Sequence, residues 1–538
     1  MVDTVSSQDG APTQKGFLGW VERTGNRLPD PVFIFFYLII LLVAISVACA
    51  VLGVNAVHPT QVNDDGSPVV VAAESLLSAT NIQRLWVEMP TTFTHFYPLG
   101  FVLVVMLGAG VAERSGLFAS AIRGAVRSAP TFLLTPFVAL IAMLSNHAAD
   151  AGYVVMIPLA AIIFASAGRH PLAGIAAAFA GVSGGFSANI APGQLDALLF
   201  GITKSAYEAS DINANWTENI AGNAYFIIAI LVVYLPVIWY VTDRLIEPRL
   251  GKWTAEPGTD ASSYGDENAP LTAEQKRGLG FAGLAILGVC GLWAAMTFGP
   301  GTPLLNDGPD TAGEPWYVIA SPFFRSLVAA FLILFLAAGW AYGAAAGTIK
   351  SHRDLVDMMS EAMKDMGYYL VLAFAAAHFV VMFGWSNLGL ITAVHGADTI
   401  QNSGLPLPVV IGLIVLFTGL LNLFVGSASA KWALLAPVLV PMLLLLGVSP
   451  EAATAAYRVG DGATNIITPL MVYFPLILVF AQRWTPGFGL GSLTAMMIPY
   501  SLWMLVSGVI LIMIWIFLGL PLGPGASASI VLPEIATP

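Results

Sequence analysis

Residues 130–167 read PTFLLTPFVALIAMLSNHAADAGYVVMIPLAAIIFASA, and this stretch decides the fold. Two apolar arms, Pro130 to Leu144 and Ala151 to Ala167, flank the polar tip Ser145 to Asp150. A helix that crosses about 30 Å of hydrocarbon at 1.5 Å per residue needs about 20 apolar residues, so each arm is short for a full crossing. Basic residues flank both ends, which favours a re-entrant helical hairpin that enters from the cytoplasm and stops near mid-membrane. Two tightly tilted spans are the alternative.

The same arrangement returns at residues 405–447, where a polar tip again separates two apolar arms. Prolines and polar tips match between the copies at a constant shift of 279 positions, which indicates an internal repeat. The matched pairs are Ala148 with Ser427, Asp150 with Ser429, Pro158 with Pro437, Pro171 with Pro450 and, after a three-residue slip, Asn189 with Asn465.

The composition of the whole chain agrees with a membrane protein. Of 538 residues, 57% are apolar and only 10% are charged, where a soluble chain has roughly 25% charged residues. A soluble single domain is therefore excluded. Plain membrane spans are predicted at Pro31 to Val54, Tyr225 to Val241, Leu279 to Phe298, Pro322 to Ala346 and Leu493 to Leu520.

The basic residues predict the topology. They concentrate before the first span, around residues 244–277 and around residues 350–364, whereas residues 55–98, 299–318 and 521–538 hold only Arg84. By the positive-inside rule the first three segments are cytoplasmic, and so is the N-terminus. The first hairpin then has its base inside and the second outside, so the repeat is inverted, as in secondary transporters.

The predicted fold class is an all-α polytopic membrane protein with two re-entrant helical hairpins in an inverted repeat. The predicted divisions are a cytoplasmic segment at 1–29, the first transmembrane helix and external loop at 30–98, the first repeat at 99–221 with its hairpin at 130–167, scaffold helices and a cytoplasmic loop at 222–365, the second repeat at 366–490 with its hairpin at 405–447, and the last transmembrane helix and external tail at 491–538.

Each hairpin is followed by a span that polar residues interrupt, at 184–193 and at 460–465. We expect both helices to unwind there, which frees carbonyls that a cation, a substrate or water must satisfy. Arg458 and Asp461 lie three residues apart at the second interruption. Each charge costs about 2.5–3.5 kcal/mol at the bilayer centre, so the pair indicates a functional site, with a mutual ion pair that merely fixes the helix as the alternative.

Other polar residues admit two interpretations each. Trp432 could stack on an aromatic substrate or simply pack, and Asp196 could bind substrate or protons or be a solvated carboxylate. Asp150 and Lys431 at the hairpin tips are interpreted as structural or solvated. His378 is interpreted as a hydrogen-bonded core residue, with a proton relay as the alternative.

Enzyme functions find little support in the sequence. The chain contains no G-x-x-x-x-G-K-[ST] phosphate loop and no H-E-x-x-H motif, and Cys49 and Cys290 each lie inside an apolar block. Nucleic acid is not expected as a partner. A channel would not need an inverted pair of hairpins.

The chain resembles the AbgT family of aminobenzoyl-glutamate transporters from about Asn26 to Leu520. The one departure noticed is His378, where the family pattern predicts Gln. The motifs that carry the resemblance are DAGYVVMIPL at 150–159, GRHPLAG at 168–174, AGVSGGFSAN at 180–189, SASAKWA at 427–433, YRVGD at 457–461 and TNIITP at 464–469.

The resemblance implies a homodimer in the bacterial inner membrane, with about nine transmembrane helices and two re-entrant hairpins in each protomer. Such a transporter either imports p-aminobenzoyl-glutamate or exports sulfonamide antimetabolites, with Na⁺ or protons as coupling ions and no other cofactor. A Na⁺-coupled dicarboxylate symporter is a further alternative. By resemblance, the transport residues are Asp196, Ser429, Trp432, Pro450, Arg458, Asp461 and Pro469, and the Na⁺ ligands are Asn422, Gly426, Asp461 and Asn465. Secondary candidates are Asn146, Asp150, Ser187, Asn189 and His378.

Overall fold

The protein is predominantly helical. The computed structural model describes residues 30–63, 65, 67–127, 133–148, 152–214, 216–253, 270–306, 308, 311, 313–468, 471 and 473–532. Asp150 and Pro469, two of the predicted site residues, lie outside these ranges. Within the described ranges, eight helices are long and apolar enough to cross a membrane. The prediction of a polytopic helical membrane protein is confirmed.

Seven of these eight helices lie outside the predicted hairpins, and the eighth, Ala428–Leu445, is the second arm of the second hairpin. The first begins at Asp30, whose side chain accepts a hydrogen bond from the Val32 amide, and ends at Gly53 in the left-handed conformation that glycine adopts at little cost. The seven are α1 (Pro31–Leu52), α3 (Tyr97–Arg114), α9 (Ala224–Tyr240), α11 (Ala273–Phe298), α14 (Leu327–Ala346), α16 (Gly367–Trp385) and α22 (Leu490–Phe517).

Shorter elements connect these spans. A two-stranded antiparallel hairpin in the loop after α1 pairs Asn55 with Ala72 and was not predicted. The remaining connecting elements are β1 (Asn55–Val62), β2 (Pro68–Ala72), α2 (Ala79–Thr94), α4 (Leu117–Arg127), α10 (Glu247–Leu250), α12 (Trp316–Ile319), α13 (Ser321–Arg325), α15 (His352–Asp365) and α17 (Leu388–Asn402).

Helices α3, α11 and α14 pack into one layer through small residues. A Cβ on Gly108 of α3 would lie 2.3 Å from the Leu332 carbonyl oxygen, and one on Gly339 of α14 would lie 2.7 Å from the Ala112 backbone. Since a bilayer supplies little hydrophobic force between helices, such close backbone contact is what holds them together. We call this layer the frame.

The two predicted hairpins are present. In the first, α5 (Leu134–Leu144) ends in a 3₁₀ turn at Ser145–Ala148, and a π-helical turn at Gly152–Met156 precedes α6 (Ile157–Ser166). At 11 and 10 residues, α5 and α6 are too short to cross about 30 Å at 1.5 Å per residue. In the second, α18 (Leu407–Asn422) and α19 (Ala428–Leu445) are joined by a non-helical tip at 423–427.

The first interrupted span breaks where the sequence predicts. Helix α7 (Pro171–Phe179) passes into a π-helical turn at Ala180–Gly184, a non-helical segment follows, and α8 (Gln194–Ala209) begins after Gly193. The non-helical segment is buried at residues 187–189, whereas Ile190 is 60% exposed. Several of its amides find partners outside a regular helix: the Asn189 amide donates to the Ile227 carbonyl and the Gly193 amide to the Asp196 side chain.

The second interruption lies later than predicted. Helix α20 (Pro450–Asn465) runs unbroken through Gly460 and Gly462, and the break precedes α21 (Phe474–Trp484). The glycines serve packing rather than unwinding: a Cβ on Gly460 would lie 2.2 Å from the Thr418 hydroxyl, and one on Gly462 would lie 3.0 Å from the Gly184 carbonyl oxygen. The second contact brings the interrupted spans of the two repeats together.

Candidate functional site

The centre of the site is helix α20, which is buried from Pro450 to Thr464 although it carries Glu451, Arg458 and Asp461. Buried charges are costly unless they are paired, so each of these side chains needs a partner from another element. Glu451 accepts a hydrogen bond from the indole nitrogen of Trp216 at 2.7 Å. The other two take part in two separate ion pairs.

Arg458 pairs with Asp196 at the start of α8. Its Nη2 donates to Asp196 Oδ1 at 2.5 Å, and the side chain is only 1% exposed. The other Asp196 oxygen accepts the Gly193 amide at 2.7 Å, which fixes the carboxylate at the helix N-terminus. Within the described part of the chain, Arg458 Nε and Nη1 have no hydrogen-bond partner. The mutual Arg458–Asp461 ion pair, the alternative weighed above, is not formed.

A cleft opens in front of the Arg458 guanidinium. The Ser187 hydroxyl in its wall is buried without a partner among the described residues, and the His147 ring contacts the Pro192 carbonyl at 3.3 Å. The cleft has a volume of only about 20 Å³, which is room for about one water, so these donors would meet an anionic or carbonyl-bearing ligand only after the cleft widens. The cleft is lined by Asn146, His147, Phe186, Ser187, Asn189, Gly193, Gln194, Leu195, Asp196, Ile227 and Arg458.

A larger cavity of about 370 Å³ continues from this cleft and shares four of its residues, Asn146, Phe186, Gln194 and Leu195. Its walls are mostly apolar or aromatic. Among the described residues, the buried Gln194 Nε2 and Tyr369 hydroxyl have no hydrogen-bond partner. Its remaining lining residues are Val102, Met106, Tyr153, Leu198, Met366 and Tyr369.

An aromatic pair links the two repeats at this cavity. The ring of Tyr153, in the first hairpin, stacks on Tyr473 after the second break, with centroids 4.3 Å apart and planes 10° from parallel. Sequence reasoning did not single out either tyrosine, because an isolated aromatic residue in an apolar segment usually packs in a core.

Asp461 pairs with Lys431 in the second hairpin. The Lys431 ammonium contacts Asp461 Oδ1 and the Asn422 side-chain oxygen, and the Lys431 and Asp461 side chains are 2% and 0% exposed. Of the two interpretations of Lys431, structural or solvated, the solvated one is therefore wrong. Its ammonium lies between Asn422 at the end of α18 and Asp461 in α20, where a buried counter-ion replaces water.

The donor set at this second pair suits a hard cation. Asn422 Nδ2 donates to the Asp461 carbonyl at 2.7 Å and to the Thr464 hydroxyl at 2.9 Å, which leaves its side-chain oxygen pointing towards Lys431. Asn465 Oδ1 accepts no hydrogen bond from any described residue, whereas the Asp461 carboxylate is held by the Lys431 ammonium. Carboxylate, amide and backbone oxygens are what a hard cation prefers, and Gly426 lies in the non-helical tip beside them.

Trp432 is packed inside the protein. It is 0% exposed, its ring stacks on Tyr457 with centroids 4.6 Å apart, and its indole nitrogen donates to Thr203 at 2.9 Å. Thr203 in turn bonds to the Thr454 hydroxyl at 2.8 Å. The residue therefore joins α19, α20 and α8 and lines neither the cleft nor the cavity described above; its contact with substrate stays a prediction.

The other predicted residues occupy less informative places. Ser429 bonds to Ser427 in the second tip at 3.2 Å, and Pro450 is the first residue of α20. Asn146 bonds to the Met143 carbonyl at 2.9 Å. His378 is buried and its Nδ1 contacts the Phe374 carbonyl at 2.7 Å, in agreement with its interpretation as a core residue.

Comparison with known proteins agrees with this architecture. A family model described as "AbgT putative transporter family" matches residues 16–530. The p-aminobenzoyl-glutamate transport protein of Escherichia coli (strain K12) is 37% identical over 515 residues, which cover 95% of this chain and 97% of that protein.

Two solved structures are similar over nearly the whole chain. The YdaH transporter of Alcanivorax borkumensis is 41% identical with a TM-score of 0.83, and the match covers 92% of this chain and 100% of that one. MtrF of Neisseria gonorrhoeae, described among a class of antimetabolite efflux pumps, is 39% identical with a TM-score of 0.86, and the match covers 95% and 100%.

Proposed function

Because this chain belongs to the AbgT family, whose members are transporters and not enzymes, we propose that it is an ion-coupled secondary transporter of p-aminobenzoyl-glutamate or related aromatic carboxylates. We place it, as a homodimer, in the bacterial inner membrane with a cytoplasmic N-terminus. The E. coli relative supports the substrate class by its name, and the two interrupted spans support the transport mechanism.

The observation that carries the proposal is the buried Arg458 guanidinium, which lines the cleft and keeps two nitrogens without a partner among the described residues. A guanidinium presents several donors in one plane and so suits a carboxylate or a sulfonyl group. Asp196 accepts from Nη2, which leaves Nε and Nη1 as donors for a ligand.

The adjoining cavity provides room for the aromatic part of the substrate. Phe186 and Leu195 line both the cleft and the cavity, so one molecule can place its anionic group at Arg458 and its ring beyond these residues. Tyr153 and Tyr369 supply aromatic walls. We therefore propose that the cavity recognises the ring. Stacking on Trp432 was one of the two interpretations that the sequence left open, and Trp432 does not line this cavity.

Transport requires the site to face each side of the membrane in turn. The site is built from α8, α20 and the hairpin tips, and the frame of α3, α11 and α14 meets it where α3 packs against α8 and lines the cavity with Val102 and Met106. We propose that the hairpin-bearing core moves against this frame, as inverted-repeat transporters do.

The test is counterflow of labelled p-aminobenzoyl-glutamate into proteoliposomes, with and without Na⁺, for the wild type, Arg458→Lys and the control Arg325→Lys. Lysine keeps the charge and can still pair with Asp196, but it loses the fork. We expect Arg458→Lys to reduce counterflow by more than about tenfold, since one charge-assisted hydrogen bond contributes about 1.5–3 kcal/mol. Arg325, whose side chain is 67% exposed, should tolerate the change. Unchanged counterflow in Arg458→Lys would refute the site assignment.

The main alternative is proton-driven export of sulfonamides, which the likeness to MtrF favours. A sulfonyl oxygen can use the same Arg458 donors, so the site alone does not separate the two substrates. Flux energised by a pH gradient rather than a Na⁺ gradient would support the exporter. Succinate uptake without binding of p-aminobenzoyl-glutamate would instead support the dicarboxylate symporter.

A further inference from the structure

The proposed function leaves the role of the buried Lys431 ammonium open. This group contacts the side-chain oxygens of Asp461 and Asn422, which the family resemblance assigns to a sodium ion. A protein side chain of charge +1 therefore lies among the oxygens expected to bind a monovalent cation.

The position of the pair is poor for stability alone. Lys431 lies in the first turns of α19, near the positive end of the helix dipole, and Asp461 lies in the last turns of α20, near a negative end. Both charges are placed against the local dipole and are buried. Replacing such a pair by apolar side chains is often neutral or stabilising, so its presence suggests a role beyond stability.

The oxygens around Lys431 are held in place without it. Both amide hydrogens of Asn422 are committed, to the Asp461 carbonyl at 2.7 Å and the Thr464 hydroxyl at 2.9 Å. The Thr468 hydroxyl also donates to the Asn422 carbonyl at 3.1 Å, which fixes the end of α18. The side-chain oxygen of Asn422 would therefore keep its direction if the ammonium moved away.

A further acceptor is unused at the same helix end. Asn465 Oδ1 is buried and has no hydrogen-bond partner among the described residues, whereas Asp461 is held by the Lys431 ammonium. Lys431 itself is attached near the non-helical tip at 423–427 by a flexible four-carbon side chain.

We propose that Lys431 is a tethered cation that occupies the Asn422–Asp461 oxygens whenever the coupling Na⁺ has left, so that lysine and Na⁺ exclude each other. This rests on the Na⁺-coupled form of the proposed function, in which Na⁺ is cargo. The exchange keeps Asp461 neutralised in the ion-free carrier. It also weakens Na⁺ binding, because Na⁺ must displace a bound competitor before it can be held.

The test measures Na⁺-dependent thermal unfolding of the purified full-length protein, with choline chloride replacing NaCl at constant ionic strength. If Lys431 holds the oxygens about nine-tenths of the time, removing it should raise the apparent Na⁺ affinity about tenfold. Lys431→Met should therefore unfold at a lower temperature than the wild type in choline, and NaCl should restore its stability at about tenfold lower concentration than the wild type requires.

Two further variants keep the test decisive. The double variant Lys431→Met/Asp461→Asn has no uncompensated carboxylate. It should be stably folded in choline chloride, and its unfolding temperature should not change when NaCl replaces choline chloride. Lys431→Arg retains a cation and should keep the weak wild-type response. If Lys431→Met shows an unchanged, weaker or absent Na⁺ response, the proposal is overturned.

The experiment contains no organic substrate, so its result is independent of the substrate assignment. Loss of p-aminobenzoyl-glutamate counterflow in all preparations, together with a tenfold shift in the Na⁺ response, would reject the proposed substrate but retain the tethered cation. Intact p-aminobenzoyl-glutamate counterflow in the wild type, together with an unshifted Na⁺ response in Lys431→Met, would retain the proposed substrate and reject the role of Lys431.

Discussion

Arg458 and Asp196 join the two repeats: a guanidinium nitrogen on α20 lies 2.5 Å from a carboxylate oxygen at the start of α8. The carboxylate therefore competes with any anionic substrate for the same fork of donors. Two further donor nitrogens of Arg458 have no partner among the described residues, so the competition is partial.

The first prediction concerns Asp196→Asn. The amide oxygen can still accept the Gly193 amide hydrogen, so the start of α8 is preserved while the negative charge is lost. We expect p-aminobenzoyl-glutamate to bind about tenfold more tightly, which corresponds to about 1.4 kcal/mol, because the competing charge is gone. Counterflow should become slower, since the tightly held substrate leaves more slowly. Equilibrium binding and counterflow measured on the same preparation test both parts; weaker binding would show instead that Asp196 orients Arg458 for the substrate.

The second prediction concerns the cavity next to Arg458. Phe186 lines both the cleft and the cavity, so Phe186→Ala removes part of the wall that a substrate ring would contact. We expect the affinity for p-aminobenzoyl-glutamate to fall by about tenfold or more, whereas N-acetyl-glutamate, which lacks the ring, should compete as well as before. Competition binding with both compounds gives the comparison. Equal losses for the two ligands would place the ring elsewhere.

The third prediction separates two roles for Trp432. Trp432→Phe keeps an aromatic ring against Tyr457 but removes the indole donor to Thr203. We expect the free energy of unfolding to fall by about 1–3 kcal/mol, because the buried hydroxyl loses its donor, with little change in substrate affinity. Thermal unfolding and binding measurements test this. A large loss of affinity at unchanged stability would mean that the indole meets the substrate in another conformation of the transporter.

The sequence predicted the hairpins and the unusual character of Arg458 and Asp461, and the physical reasons are clear. Arm length and periodic apolar composition are local properties, and charges stand out in a chain with only 10% charged residues. The partners were not predictable in this way. Asp196 and Lys431 are 262 and 30 positions from Arg458 and Asp461, and only tertiary packing brings each pair together.

The position of the second break illustrates the same limit. Glycine at 460 and 462 is compatible both with unwinding and with close helix packing, and the sequence does not say which applies. The neighbouring helix decides: Gly460 faces the backbone of α18 at Val415. A helix can therefore continue through glycines when their lack of a side chain is used for contact.

This contact leads to the last prediction, on Gly460→Ala. A Cβ at this position would lie 2.2 Å from both the Thr418 hydroxyl and the Val415 carbonyl oxygen, and backbone cannot move aside cheaply. We expect a loss of about 1–3 kcal/mol in the free energy of unfolding, as in other overpacked interiors. The separation of α18 and α20 should also move Asn422 away from Asp461, so Na⁺-dependent stabilisation should weaken along with it.

The matched control is Gly288→Ala in α11, where an added Cβ meets no atom within 4 Å and no loss of stability is expected. Thermal unfolding of both variants in NaCl and in choline chloride measures the two effects, and equal behaviour of the two variants would show that the α18–α20 contact does not control the cation site.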